Sequence, residues 1–312
     1  MRARIPRFSV ALVACALLGL TSCTRDPSPE PEPELTAPPP RVADVSELRL
    51  PLDAYMYTND QYLAMLRARA HLISACMRRF GRDYPATVTN AVPGVHFPDL
   101  DNANARRYGL FDAESAALYG YNVPPRPEAA EPDSRSTGSG GLEITERDLF
   151  LLDGRGRPGY ENATLPTDVD GNALPEDGCN GEADRALADG LAQPDLGVVD
   201  TLAFEAHQRA EQDSRVRAAV EAWSACMKAR GYAYSSIWEP NDYPWPEPPG
   251  PEEIATATAD VACKEETNLV GIAFAVESAY QVRLIERHSA ELNAVKAYID
   301  AVNRNAARFA AN

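Results

Sequence analysis

The residues able to do chemistry are few and scattered. The four histidines, His71, His96, His207 and His288, are far apart in the chain, and none falls in an HExxH or paired-ligand spacing. His207 and Glu211 stand four apart and share a helical face; such a pair is more often solvated surface than half of a metal site. His288 reads as a partly buried member of an apolar stripe. The stretch Asp168-Val169-Asp170-Gly171-Asn172 begins like a calcium loop, but it has Ala173 in the sixth position and Cys179 in the twelfth, where such a loop needs Gly and Glu. It reads instead as an Asp/Asn/Gly turn. There is no GxSxG elbow, no Ser-x-x-Lys and no P-loop. Carboxylates are too numerous for any pair to stand out. The expectation is therefore no catalytic residue, no metal ligand and no cofactor. The ligand platform that the sequence offers is aromatic: Trp238, Tyr243 and Trp245 lie in the proline-rich stretch 235–250 and could stack on a sugar or a peptide. The favoured alternative folds them back as a lid over the helices, because several bare indoles facing a cell wall would invite aggregation.

Cysteine chemistry is more specific. Cys15 and Cys23 belong to the N-terminal region, which leaves Cys76, Cys179, Cys226 and Cys263. Four cysteines in an oxidising compartment allow three pairings. An internal echo favours one of them. Cys76-Met77-Arg78-Arg79-Phe80-Gly81-Arg82-Asp83-Tyr84 matches Cys226-Met227-Lys228-Ala229-Arg230-Gly231-Tyr232-Ala233-Tyr234 at Cys, Met, Gly and the last Tyr. Each copy places a cysteine near the end of a helix, and the next cysteine at or near the start of a following one. Local pairing, Cys76 with Cys179 and Cys226 with Cys263, then repeats one construction twice.

These residues have to be positioned by helices. The central one is expected over Asp213 to Arg230, with Val216, Val220, Trp223 and Met227 on one stripe and Gly231 at its end. An earlier helix reads Thr58 to Phe80, with Thr58 or Asn59 as N-cap and Gly81 as stop. Residues 82–177 are dominated by Pro, Gly, Asn and Asp. They read as a long irregular insertion with a short helix near 112–119 and a polar loop over 132–141. Helical text returns at Glu182 and again from Val198 to Gln212. Pro251 opens the last sixty residues, where apolar positions at steps of three to four predict one long helix, or two with a break near Thr267-Asn268 that Gly271 makes plausible. The fold class is mainly α, disulfide-stapled. Residues 49–312 form a single mainly helical domain, or two pseudo-repeats over 49–195 and 196–312.

Location is written at the N-terminus. Three arginines precede an apolar run from Val10 to Leu20, too short for a permanent membrane helix and typical of a secretory signal. Leu20-Thr21-Ser22-Cys23 resembles the lipobox of bacterial lipoproteins. That resemblance implies removal of residues 1–22, acylation of Cys23, and anchoring in the lipid bilayer on the outer face of the cytoplasmic membrane. Residues 23–48 are a Pro/Glu-rich tether, spanning up to roughly 75 Å if fully in the polyproline conformation. The net charge is −16, and it becomes −19 once residues 1–22, with three arginines and no acid, are removed. So acidic a chain, with only Lys228, Lys264 and Lys296 as lysines, is a poor nucleic-acid binder and would be repelled by anionic wall polymers.

The lipobox, Pro175 to Ala183 around Cys179, Ala222 to Tyr232 around Cys226 and Ala259 to Lys264 around Cys263 together resemble a family of actinobacterial secreted lipoproteins without an assigned activity. The resemblance implies the extracellular location and a disulfide framework, and no mechanism. The expected function is a membrane-anchored extracellular lipoprotein with a non-catalytic binding or structural role, its protein or cell-wall partner unspecified. The alternative is an extracellular hydrolase with an unrecognised acidic active site.

Overall fold

In a computed structural model, residues 30–87, 103–124, 144–154, 168–169 and 171–310 are described. The signal, Cys23, His96 and the polar loop 132–141 lie outside the described residues. The body that starts at Pro33 carries the helices. They are α1 (Asn59–Arg79), α2 (Ala113–Tyr119), α3 (Glu146–Asp153), α4 (Gly178–Leu187), α5 (Gly197–Gln212), α6 (Ser214–Ala229), the one-turn α7 (Trp238–Asn241), α8 (Pro251–Thr267), α9 (Leu269–Arg287) and α10 (Ser289–Ala310). Among the described residues the strands are β1 (Asp168–Val169) and β2 (Asn172–Ala173), an antiparallel hairpin that turns at Gly171 with φ 80°. The fold is mainly helical, and the stretch that superficially resembled a calcium loop is this small hairpin.

Local chemistry explains where the helices start and stop. Thr58 accepts a hydrogen bond from the Gln61 backbone N–H, and Gln61 Oε1 accepts one from the Thr58 N–H, a reciprocal cap that opens α1. At the other end, the N–H groups of Gly81 and Arg82 turn back to the carbonyls of Arg78 and Met77, with Gly81 at φ 69°. Helix α6 closes by the same device: the N–H groups of Gly231 and Tyr232 donate to Lys228 and Met227, with Gly231 at φ 94°. The echo in the sequence is thus a repeated helix ending, with Met77 and Met227 both fully buried one turn before it.

Two disulfides tie these endings to other helices. Cys76 bonds Cys179 and Cys226 bonds Cys263, with Cα separations of 5.6 and 5.7 Å. Cys179 is the second residue of α4, but Cys263 lies in the last third of α8 rather than near its start. The two constructions therefore share a helix ending and differ in what it is stapled to.

Helix α1 packs on α10 and α4, α9 on α5 and α6, and α8 on α2 and α6. The largest core cluster joins Val199, Leu202 and Ala206 of α5 to Val276, Tyr280 and Leu284 of α9 and Leu292, Val295 and Ile299 of α10. Trp223 is completely enclosed beside Met227, Cys263 and Leu269.

Three features depart from the sequence reading. The expected break near Thr267-Asn268 is present, with Asn268 in the left-handed conformation (φ 53°), but a second interruption falls at His288, so the last sixty residues form three helices. The apolar period carries across His288 because both helices bury the same side, so periodicity could not reveal the kink. Gly271 lies inside α9 and marks a close approach instead of a break. A Cβ there would stand 1.8 Å from the Pro40 carbonyl oxygen. That carbonyl belongs to the third departure, in the stretch 23–48 expected as a free tether. From Pro33 on, this stretch lies along the helices: Arg215 donates to the Pro33 carbonyl, Arg41 to the Glu265 carbonyl, and Leu35, Val42 and Val45 pack on the main core. Proline-rich text says the chain is extended but not whether it has a surface to lie on.

Candidate functional site

Helices α5 and α6 meet at Asp213, which ends the first and caps the second. Its buried side chain accepts the Arg215 backbone N–H at 3.0 Å and two guanidinium hydrogen bonds at 2.8 and 2.6 Å. Burial opposes its charge, yet Arg215 holds the carboxyl below its ordinary value. The sharp corner this creates opens a wedge between α5 and α6. The wedge is floored by Leu269 and Ala273 of α9 and closed on one side by Ser235, Ser236, Ile237 and Trp238. The result is a pocket of about 360 Å³, whose walls are largely apolar. Val216 and Val220 supply the α6 wall, and Ala210 the α5 wall.

Three polar groups of the pocket, Arg107, Tyr108 and His207, converge on Glu277, a side chain with no exposed surface, on the buried face of α9. Glu277 Oε1 accepts from Arg107 Nε at 2.7 Å and from Gln281 Nε2 at 3.0 Å; Oε2 accepts from the Tyr108 hydroxyl at 3.0 Å and lies 2.9 Å from His207 Nδ1. Burial pushes against the charge of Glu277, but the bonds from His207 and Arg107 and the Arg107 charge hold its carboxyl below the ordinary range. An ionised carboxylate only accepts, so His207 Nδ1 carries a hydrogen and the other ring nitrogen is left for the pocket side. There Nε2 stands 3.6 Å from Glu211 Oε1, and the Trp238 indole N–H donates to the same oxygen at 3.4 Å. Tyr108 is held as a neutral donor, because burial and the neighbouring Glu277 charge push its hydroxyl well above the ordinary value. Arg107 gives a further hydrogen bond to the Ala203 carbonyl at 2.9 Å.

His207 and Glu211 do share a helical face, but the histidine is not merely solvated. Only 20% of its side chain is exposed, and a buried carboxylate from another helix fixes the ring. Glu277, Arg107 and Tyr108 were missed altogether. Glu277 left one trace in the sequence: it is an acid flanked by Val276 and Ser278 in a helix whose buried face is apolar apart from it and Gln281. Arg107 and Tyr108 sit in text with no periodicity to interpret.

The aromatic platform is divided by the structure. Trp238 lines the pocket, whereas Tyr243 and Trp245 pack on each other at 4.4 Å. Trp245 stacks over Tyr121 at 6.0 Å and donates its indole N–H to the Pro240 carbonyl at 2.8 Å.

A second buried polar cluster stands beside Trp223. Lys264, almost wholly enclosed, donates to the Leu110 carbonyl at 2.8 Å and to Asp260 Oδ2 at 3.0 Å. Asp260 also accepts from the Trp223 indole N–H at 2.8 Å and the Tyr121 hydroxyl at 3.1 Å. Burial pushes Asp260 up and Lys264 down from their ordinary values, and their mutual attraction opposes both shifts. Gly109 makes room for this ammonium, since a Cβ there would lie 2.8 Å from Lys264 Nζ. The cluster ties the segments that flank α2 to α6 and α8.

Among the described residues no three His, Cys, Asp or Glu side chains are grouped to hold a metal ion, and no helix is long and apolar enough to cross a membrane. The fold is that of a helical, disulfide-linked protein, and the pocket between α5, α6 and α9 is its candidate site. Comparison with protein-family models, curated proteins and solved structures finds no match for this chain.

Proposed function

We propose that this protein is a lipid-anchored lipoprotein of the outer face of the cytoplasmic membrane that binds a small ligand in the pocket beneath Trp238. The pocket carries the reading: apolar walls on α5, α6 and α9 surround a few polar groups whose positions are fixed by the buried Glu277. A small-molecule site has this composition, with apolar area for affinity and a few oriented polar groups for selection. The location is supported by Leu20-Thr21-Ser22-Cys23 and by two disulfides, which persist in an oxidising compartment. Nine residues lie between Cys23 and Pro33, where the body begins. An acylated Cys23 would therefore hold Pro33 within about 36 Å of the bilayer, even with those residues fully extended. That is half the reach expected of a free 23–48 tether.

Two experiments test the two parts. Intact mass and membrane partition of wild type and Cys23→Ala decide the anchor; equal retention of both in the membrane would refute it. Ligand binding is read by fragment titration of wild type and Val220→Phe, which narrows the pocket from its half-buried α6 wall. Binding should be lost in the variant, and identical binding would place the ligand elsewhere.

A hydrolase is the second reading, favoured by the carboxylate-held His207 with Nε2 toward the pocket and Ser235 and Ser236 on the same wall. The serine hydroxyls are engaged differently, however. Ser235 Oγ donates to Glu239, and Ser236 Oγ accepts from the Trp238 N–H at 3.2 Å. Without a hydroxyl on the histidine, the nucleophile-base contact that acyl transfer uses is absent among the described residues. Hydrolysis of a model ester that is abolished by His207→Ala would reverse the preference.

A further inference from the structure

The pocket's chemistry narrows its ligand, and this step rests on the binding reading above. Charges around the pocket cancel in pairs until one remains. Arg107 is ion-paired with Glu277. Arg217 and Glu221, one turn apart on α6, are exposed on the rim and opposite in sign. That leaves Glu211, at the end of α5, with its carboxylate half exposed beside His207.

The hydrogen-bonding inventory has the same bias. Tyr108 donates its hydroxyl to Glu277, Arg107 is shared between Glu277 and the Ala203 carbonyl, and the Trp238 N–H points at Glu211. The Tyr108 and Trp238 donors are thus directed at carboxylates of the protein. What faces a ligand beside them is the half-exposed Glu211 carboxylate. The indole of Trp238 lies against that same carboxylate and can add a cation–π attraction. Val216, Val220, Leu269 and Ala273 supply the apolar area behind.

We propose that the pocket binds a small organic ammonium ion with an apolar body, its N–H groups donating to Glu211 and its body lying against α6 and α9. An anion of the same shape would meet the Glu211 carboxylate instead. The net charge of −16 works in the same direction, because it enriches cations near the surface.

The test is isothermal titration of the full-length protein in detergent with three matched probes: 2-phenylethylammonium, 2-phenylethanol and 3-phenylpropanoate. The ammonium should bind most tightly and the carboxylate least. Glu211→Gln, a change at a solvent-facing side chain that leaves the core intact, should weaken the ammonium about three- to fivefold and leave the alcohol unchanged. Trp238→Leu should cost the ammonium about threefold through the lost cation–π contact. Raising the salt concentration should weaken the ammonium and not the alcohol. If the carboxylate binds as well as the ammonium, or if Glu211→Gln affects the alcohol and the ammonium alike, the ligand class is wrong while the pocket stands. If all three probes behave identically toward wild type and Val220→Phe, the pocket itself is not the site and both readings fall.

Discussion

Replacing Glu277 by Gln removes the charge that organises the pocket while keeping the side chain's shape. In the native protein Oε1 accepts from Arg107 and Gln281, and Oε2 faces Tyr108 and His207. A glutamine has one carbonyl oxygen and one NH2 in their place: with the oxygen toward Arg107 and Gln281, the NH2 faces Tyr108 and His207, which have to turn from donors into acceptors. The Arg107 side chain, 20% exposed, also loses its counter-charge. Breaking a buried ion pair by removing one partner costs about 3 to 5 kcal/mol, and each stranded polar group about 1 to 3. These figures overlap because they count some of the same bonds, so the expected loss is about 4 kcal/mol. Urea unfolding at pH 7 measures it, with an unchanged slope showing that the same surface is exposed.

The dependence on pH gives a second check. The folded Glu277 carboxyl titrates below its ordinary value of 4.5, so its contribution is present above that pH and is lost as pH falls through the folded value. The gap between wild type and Glu277→Gln should therefore be widest near neutrality and close in the acid range. A gap below about 1 kcal/mol at pH 7, or one that widens on acidification, would refute the picture of an ionised carboxylate with four fixed donors.

Lys264→Met should destabilise by about 3 kcal/mol, at the low end for a broken buried pair, because Trp223 and Tyr121 still donate to Asp260. Lys264→Met with Asp260→Leu should recover part of that loss in the same urea experiment, and a double variant weaker than the single would show that the pair is stabilising in its own right. Gly271→Ala would place a methyl against the Pro40 carbonyl. It should cost about 1 to 3 kcal/mol and make residues 33–41 more susceptible to limited proteolysis, whereas unchanged cleavage would mean the strap does not lie on α9. Trp223→Ala should cost about 3 to 5 kcal/mol in thermal unfolding, as for any enclosed large aromatic, and an unchanged midpoint would contradict its burial.

Whatever depends on local pattern was legible in the sequence. Thr58, Gly81, Asp213 and Gly231 mark helix ends by their own chemistry, and the stripe through Val216, Trp223 and Met227 is buried as its period requires. The break at Asn268 lies where the pattern weakens. Three kinds of information were not legible. The kink at His288 keeps the period and so leaves no mark. Helix α3, in text dominated by loop formers, is only eight residues long, too short for a period to stand out. The pocket brings together Arg107, His207, Trp238 and Glu277, which are far apart in the chain and meet only through packing. Their residue types are ordinary taken singly, and their meaning comes from who donates to whom. The docked strap belongs with them, since the proline run fixes its backbone but only Gly271 and Arg215 give it a place to lie.

The central claim, a ligand pocket beneath Trp238, is tested most directly by fluorine NMR of the protein labelled with 5-fluorotryptophan. The chain has three tryptophans: Trp223 in the core, Trp238 in the pocket and Trp245 over Tyr121. Trp238→Phe assigns the pocket resonance by deleting it. Titration with 2-phenylethylammonium should move the Trp238 signal alone, saturably, with Trp223 and Trp245 left in place. Saturation of the Trp245 signal instead, or no movement of Trp238 when binding is detected by titration calorimetry, would contradict the account.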